Sequence, residues 1–163
     1  MKIRLAADLQ TDSIVDGVGI RTVIWTQGCS HNCKGCHNPE TWDFNRGKEF
    51  TTGTLNEIIS GLTAQGIQRN LCIMGGEPLC DENAFLTYLV IKEVKEKVPG
   101  AKIYIWSGYT YEQLQHASHP QVRHALELAD YLIDGPYIEE ERDITLEMRG
   151  SRNQRIIDLS KKN

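Results

Sequence analysis

Apolar residues alternate along the chain between two rhythms. Thr22-Val23-Ile24-Trp25-Thr26, Leu71-Cys72-Ile73-Met74, Lys102-Ile103-Tyr104-Ile105-Trp106 and Tyr131-Leu132-Ile133-Asp134 are short runs rich in β-branched and aromatic side chains, the composition of buried strands. Between them the apolar period lengthens to that of a helix. Leu55, Ile58, Ile59 and Leu62 follow the capping-box pattern Thr54-Leu55-Asn56-Glu57 and predict a helix from about Thr54 to Gln65, with Gly66 as its stop. Phe85, Leu86, Leu89, Val90, Val94 and Val98 form the apolar face of a second helix, capped by Asp81 and ended by Pro99-Gly100. Thr110-Tyr111-Glu112-Gln113 has another capping-box spacing, and Pro120 through Ala129 begin with a proline that suits a helix start. The basic polar stretch from Arg149 leads into a possible last strand at Ile156-Ile157-Asp158-Leu159. Strands alternating with helices predict an α/β fold of four or five clear strands, with any ligand at the strands' C-terminal ends.

Composition narrows the classes without choosing among them. The 163 residues suit one domain spanning 1–163, and 40% hydrophobic with 25% charged residues is ordinary for a globular chain. A net charge of −4 argues against a general nucleic-acid binder, so small molecules or proteins are the expected partners. No secretion signal precedes the first strand and no run reaches the ~20 apolar residues of a membrane span, so a cytoplasmic location is expected. No internal repeat or low-complexity tract stands out. In a reducing compartment the five cysteines stay thiols, and their odd number suits a ligand set better than a disulfide framework.

Three of those cysteines fall in Gly28-Cys29-Ser30-His31-Asn32-Cys33-Lys34-Gly35-Cys36-His37-Asn38, directly after the first predicted strand. Crowded thiolates hold zinc or an iron-sulfur cluster, and Cys-x3-Cys-x2-Cys differs from the paired Cys-x2-Cys knuckles of structural zinc sites. Three thiolates on a four-iron cubane leave one iron open. A closed zinc site completed by His31 or His37 is the alternative; read more simply, both histidines are polar residues beside the cluster. Cys72 sits in an apolar strand as a small hydrophobe, and Cys80 reads as a loop thiol near the site, so one cluster is expected. His116, His119 and His124 form no convincing ligand pair and read as exposed or capping residues. At the ends of the later strands stand Gly75-Gly76-Glu77-Pro78, Ser107-Gly108-Tyr109-Thr110 and Asp134. Two glycines there either make a plain turn or let a ligand approach the backbone, and Ser107 either caps a turn or contacts a ligand.

The three-cysteine loop followed by Gly-Gly-Glu-Pro resembles the radical S-adenosylmethionine (radical SAM) superfamily. That likeness implies that Cys29, Cys33 and Cys36 hold a [4Fe-4S] cluster and that SAM chelates its open iron. One electron then cleaves SAM, and a 5′-deoxyadenosyl radical abstracts hydrogen. It also implies that Gly75, Gly76 and Glu77 hold the amino group of SAM, that Ser107 and Asp134 contact it, and that Gly35, Cys36 and His37 border it. Asp16-Gly17-Val18-Gly19-Ile20-Arg21, the histidine-bearing cluster loop, Trp106-x-Gly108-Tyr109 and Asp134-Gly135-Pro136-Tyr137 are similar to the glycyl-radical activating enzymes. The ending Arg149-Gly150-Ser151-x-Asn153-Gln154-Arg155-Ile156-Ile157-Asp158, with the short length, resembles the branch acting on anaerobic ribonucleoside-triphosphate reductase.

The resemblance implies a short, incomplete (βα) partial barrel of the radical SAM type. One side stays open for a large glycyl-radical reductase subunit, and an electron donor such as a flavodoxin is needed. Three positions depart from relatives: Val18 stands for proline, Gly35 for an aromatic residue near the adenine, and Arg152 for serine. Lys34, Arg46, Lys48 and the late arginines make a basic rim conceivable, although scattered surface charge is the commoner explanation. Competing readings are an activating enzyme for a formate-lyase type partner, a small radical SAM enzyme such as one rearranging a pterin, and a zinc-binding interaction module.

Overall fold

In the computed structural model, which describes residues 3–13 and 19–161, the chain is mixed α/β, and eight strands share one sheet. In chain order they are β1 (Arg4–Leu5), β2 (Gln10–Ser13), β3 (Arg21–Thr26), β4 (Lys48–Glu49), β5 (Asn70–Gly75), β6 (Ile103–Trp106), β7 (Tyr131–Asp134) and β8 (Arg155–Asp158). The four apolar runs are β3, β5, β6 and β7, paired in parallel in that order, with Val23 beside Cys72 and Cys72 beside Tyr104. β8 closes one edge antiparallel to β7. β1 and β2 pair antiparallel with β3, and β4 pairs with β1. The expected four or five strands are therefore the parallel core and β8; the other three have only two to four residues each and no apolar run to reveal them. The approach residues Asp16, Gly17 and Val18 lie outside the described residues.

Alternation along the strands divides the core. Ile24, Ile73, Ile105 and Leu132 face a cluster that also contains Ile58, Leu86, Val90, Leu114 and Leu126, drawn from all four helices. Val23, Cys72, Tyr104 and Ile133 point to the other face, whose cluster contains no helical residue. At about 1.5–3 kcal/mol for each fully buried aliphatic side chain, the helix-covered face carries most of the apolar stabilisation.

The helices are α1 (Thr52–Gly61), α2 (Asp81–Lys97), α3 (Tyr111–Gln115) and α4 (Pro120–Leu128). α1 begins earlier than expected. Thr51 is its extended N-cap, and the box is a reciprocal pair in which Thr51 Oγ1 accepts from Thr54 N–H while Thr54 Oγ1 accepts from Thr51 N–H. It also ends earlier, at Gly61 with Leu62 as C-cap; Thr63 leaves helical backbone and a separate 3-10 turn follows at Ala64–Gly66, where Gln65 and Gly66 take positive φ. Asp81 does not cap α2; Cys80 is the N-cap, and Asp81 occupies the first helical position, where its charge suits the helix dipole. On α2, Phe85 is exposed and Leu89 half-buried, while Ala84, Thr87 and Ile91 join Leu86, Val90 and Val94 inside. The Thr110–Gln113 box caps α3 as expected. Among the described residues, no helix is long and apolar enough to cross a membrane.

Candidate iron-sulfur site

Because β3, β5, β6 and β7 are parallel, the segments that follow them gather at one end of the sheet. A cavity of about 460 Å³ opens there, and Cys29, Cys33 and Cys36 all line it. The cysteine loop is pinned at its root by tertiary hydrogen bonds. Gly28 N–H donates to Thr41 O at 2.6 Å and Cys29 N–H to Trp42 O at 3.1 Å. The Gln27 side chain donates to the carbonyls of Glu40 and Asp43. Gly28 has φ +107, and the Phe44 ring fills the place of its missing Cβ, so glycine is required there. Farther along, Cys36 N–H closes a turn on Cys33 O.

The three thiols are half-buried and unbridged. Burial pushes the Cys29 thiol up to about 11; a hydrogen bond from the His31 backbone opposes this, and Glu77 with the other two cysteines adds to the rise. All three cysteines come from one loop with Cys-x3-Cys-x2-Cys spacing and line one cavity, a donor set that fits a four-iron cluster, which takes each thiolate on a separate iron. Both candidate histidines make contacts at the loop. His31 Nε2 lies 2.7 Å from Glu77 Oε1, and the His37 ring lies against Tyr137 with centroids 5.0 Å apart. The remaining cysteines do not line the cavity: Cys72 is wholly buried in the sheet. Cys80, expected as a loop thiol, is buried at the head of α2 with its Sγ donating to Glu77 O, and burial pushes that thiol far above its usual value.

Glu77 is almost fully buried, and its carboxylate accepts four hydrogen bonds. Oε1 receives His31 Nε2 and Gly108 N–H at 2.7 Å each; Oε2 receives Ser107 Oγ at 2.8 Å and Leu79 N–H at 2.9 Å. A carboxylate has about four lone-pair sites, and these four donors occupy them. Asp134, equally buried, is likewise committed: it accepts from the Arg155 guanidinium and from Tyr111 N–H. It does not line the cavity, and neither do Glu77 and Gly35.

Of the other expected residues, His37, Gly75, Gly76 and Ser107 do line the cavity. The paired glycines also have a packing reason. A Cβ on Gly75 would meet Thr26 main-chain atoms at 2.5 Å, and one on Gly76 would meet Gly28 O at 2.3 Å. They allow backbone to approach backbone, closing the β5 turn onto the cysteine loop. Gly35, with φ +77, turns the loop against the Glu139 carboxylate, which would sit 2.7 Å from a Cβ.

The far wall comes from the stretch after β7, which includes the start of the basic polar segment at Arg149. Its polar side chains bond its own main chain. Gln154 Oε1 accepts from Gly150 and Ser151 N–H while its Nε2 donates to Gly135 O, and buried Ser151 accepts from Ile138 N–H. Trp106 Nε1 fixes the wall from β6 by donating to Met148 O at 2.7 Å. Ile144, on the same stretch, lines the cavity while remaining 84% exposed. Of the suggested basic rim, Lys34 stands 3.9 Å from Glu140 and Lys48 pairs with Asp8, all on the surface.

Comparison with known proteins agrees with this donor set. The family model described as a 4Fe-4S single cluster domain matches residues 15–157. A protein of Vibrio cholerae serotype O1 named anaerobic ribonucleoside-triphosphate reductase-activating protein is 35% identical over 88% of this chain and 90% of its own length. Proteins of the same name from Haemophilus influenzae and Enterobacteria phage T4 are 36% and 35% identical over 88% and 87% of this chain, and over 90% and 86% of their own lengths. With this likeness running through nearly the whole sequence and through its cysteine loop, the chain belongs to the family of anaerobic ribonucleoside-triphosphate reductase-activating proteins, iron-sulfur enzymes of the 4Fe-4S single cluster domain type.

Proposed function

We propose that the chain is a radical SAM activase that installs a glycyl radical on anaerobic ribonucleoside-triphosphate reductase. The observation that carries this reading is that Cys29, Cys33 and Cys36 line one cavity and neither remaining cysteine does. The relatives' name supplies the reductase as the protein acted upon. Residues 1–163 form one radical SAM domain, and the sheet with helices on a single face is its short, incomplete barrel. The three thiolates hold a [4Fe-4S] cluster and leave one iron for SAM. When bound, the pair supplies the one-electron cleavage that ends in removal of a hydrogen atom from a glycine.

The chain's own residues orient this chemistry. Main chain at Gly75 and Gly76 frames SAM with Cys36, His37 and Ser107. Gly35, Glu77 and Asp134 act from behind the wall: Gly35 turns the cysteine loop, Glu77 ties that loop to β5 and β6, and Asp134 ties β8 to α3. The cavity's volume lies within the usual range for small-molecule ligands, roughly 300–1,000 Å³. Exposed Ile144 offers the reductase an apolar contact at that cavity. The reaction takes place in the cytoplasm, with an external reductant such as a flavodoxin.

The test is anaerobic reconstitution with iron and sulfide, followed by reductant, SAM and reductase. The expected results are about four irons per chain, release of methionine and 5′-deoxyadenosine, and a glycyl radical signal on the reductase by electron paramagnetic resonance. A colourless protein carrying zinc, or SAM cleavage with no signal on the reductase, overturns the proposal.

A further inference from the structure

The cysteine loop meets the rest of the chain at one residue more than at any other. Glu77 N–H donates to Gly28 O at 2.8 Å, immediately before Cys29, and the Glu77 carboxylate accepts from His31, two residues after it. Asn83 reinforces the first grip by donating from Nδ2 to the carbonyls of Gln27 and Glu77. The second grip has a fitted seat. The His31 ring lies over Gly108, where a Cβ would approach it to 2.7 Å, and meets the Tyr109 ring edge-on with centroids 4.5 Å apart. Among the described residues, the hydrogen bonds at Cys33 and Cys36 stay within the loop, Cys36 N–H to Cys33 O and Asn38 N–H to Cys36 Sγ.

We propose that Glu77 and His31 are positioning residues that clamp the loop on both sides of Cys29 and set where its thiolate stands relative to those of Cys33 and Cys36. The inference rests on the cluster assignment above and extends it to how the three-thiolate set is held. A carboxylate only accepts, so His31 Nε2 carries the hydrogen of this bond. Cys29 is the ligand on the strand side of the loop, and without the clamp the segment Ser30–Asn32 loses its tie to β5 and β6.

The experiment uses the reconstituted full chain as wild type, His31→Ala, His31→Gln, Glu77→Gln and Ser107→Ala. Ser107→Ala removes one donor from the same carboxylate without touching the cysteine loop, and so separates general weakening of Glu77 from loss of the clamp. Two quantities are read: the rate of iron loss to a ferrous chelator, and the electron paramagnetic resonance spectrum of the reduced cluster before SAM is added. His31→Ala is expected to lose iron about tenfold faster than wild type with an altered spectrum, the scale usual for groups that orient metal ligands. Ser107→Ala, which also frees Tyr109 N–H, should lose iron at a rate between wild type and His31→Ala. His31→Gln, whose amide can donate to Glu77, should recover part of the loss. Glu77→Gln sets an NH2 group against the incoming donors and should lose iron fastest; if it does not fold, the His31 variants decide. Iron loss from His31→Ala no faster than from Ser107→Ala, or an unchanged spectrum, overturns the clamp. A wild-type chain that takes up no iron overturns the cluster assignment instead.

Discussion

Replacing Gly76 with alanine tests how tightly the β5 turn is built against the cysteine loop. Gly76 does not require left-handed backbone, so the added methyl acts through space alone. It would stand 2.3 Å from Gly28 O, 2.8 Å from Gly28 C and 3.0 Å from Gly28 N, all main-chain atoms. Reaching ordinary contact near 3.4 Å requires the carbonyl to retreat by about 1 Å. Gly28 cannot yield alone, because its N–H is bonded to Thr41 O, its carbonyl to Glu77 N–H, and the Phe44 ring fills the place of its Cβ. The displacement therefore passes to Cys29, the next residue. Overpacking of this kind costs about 1–3 kcal/mol, which lowers the melting temperature by roughly 2–10 °C for a chain of this length. A misplacement near 1 Å at reacting groups costs on the order of 100-fold in rate. Thermal melting of the iron-free chain, iron per chain after reconstitution, and the rate of SAM cleavage report the three consequences. Gly61→Ala is the contrast: nothing lies within 4 Å of its would-be Cβ at the end of α1, and alanine there should leave stability unchanged or raise it by up to about 1 kcal/mol. If Gly76→Ala matches wild type in melting, iron and cleavage, the close-approach reasoning is wrong.

Arg155→Met leaves Asp134 buried with only the Tyr111 N–H, and should cost about 2–3 kcal/mol in urea unfolding. That figure is discounted from a fully buried pair because the arginine side chain is 48% exposed, and a loss under about 0.5 kcal/mol refutes the staple. Glu112 is held below its usual range chiefly by its hydrogen bond to Arg155, so its contribution is present at neutral pH and disappears as pH falls through that depressed value. The urea midpoints of wild type and Glu112→Gln should accordingly differ at pH 7 and draw together as the pH is lowered below the usual carboxylate range; a constant gap contradicts the sign. Cys80→Ser should retain the wild-type iron content, since its sulfur faces the Glu77 carbonyl and not the cavity, and iron loss would break the three-thiol assignment. Ile144→Asp should lower radical yield on the reductase roughly tenfold and by a larger factor than it lowers SAM cleavage without reductase; equal factors remove Ile144 from the docking surface.

The parallel strands were legible because β3, β5, β6 and β7 are runs of β-branched and aromatic residues, and the cysteine spacing was legible because metal ligands must lie close in chain to share one loop. What was not legible depended on partners far apart in sequence. His31 and Glu77 are separated by 46 positions, and Ser107 lies 30 from Glu77, so no local period announces their contact. The same gap explains why glycines and acids at the strand ends suggested ligand contacts. Converging three loops on one cavity forces main chain against main chain, and only glycine permits that at 75 and 76. Convergence also buries the Glu77 carboxylate, which is costly unless every lone pair is met, and four donors meet it. The cavity is thus lined by thiols, rings and polar and apolar side chains from several loops, while buried Glu77 and Asp134 tie those loops together from outside its lining.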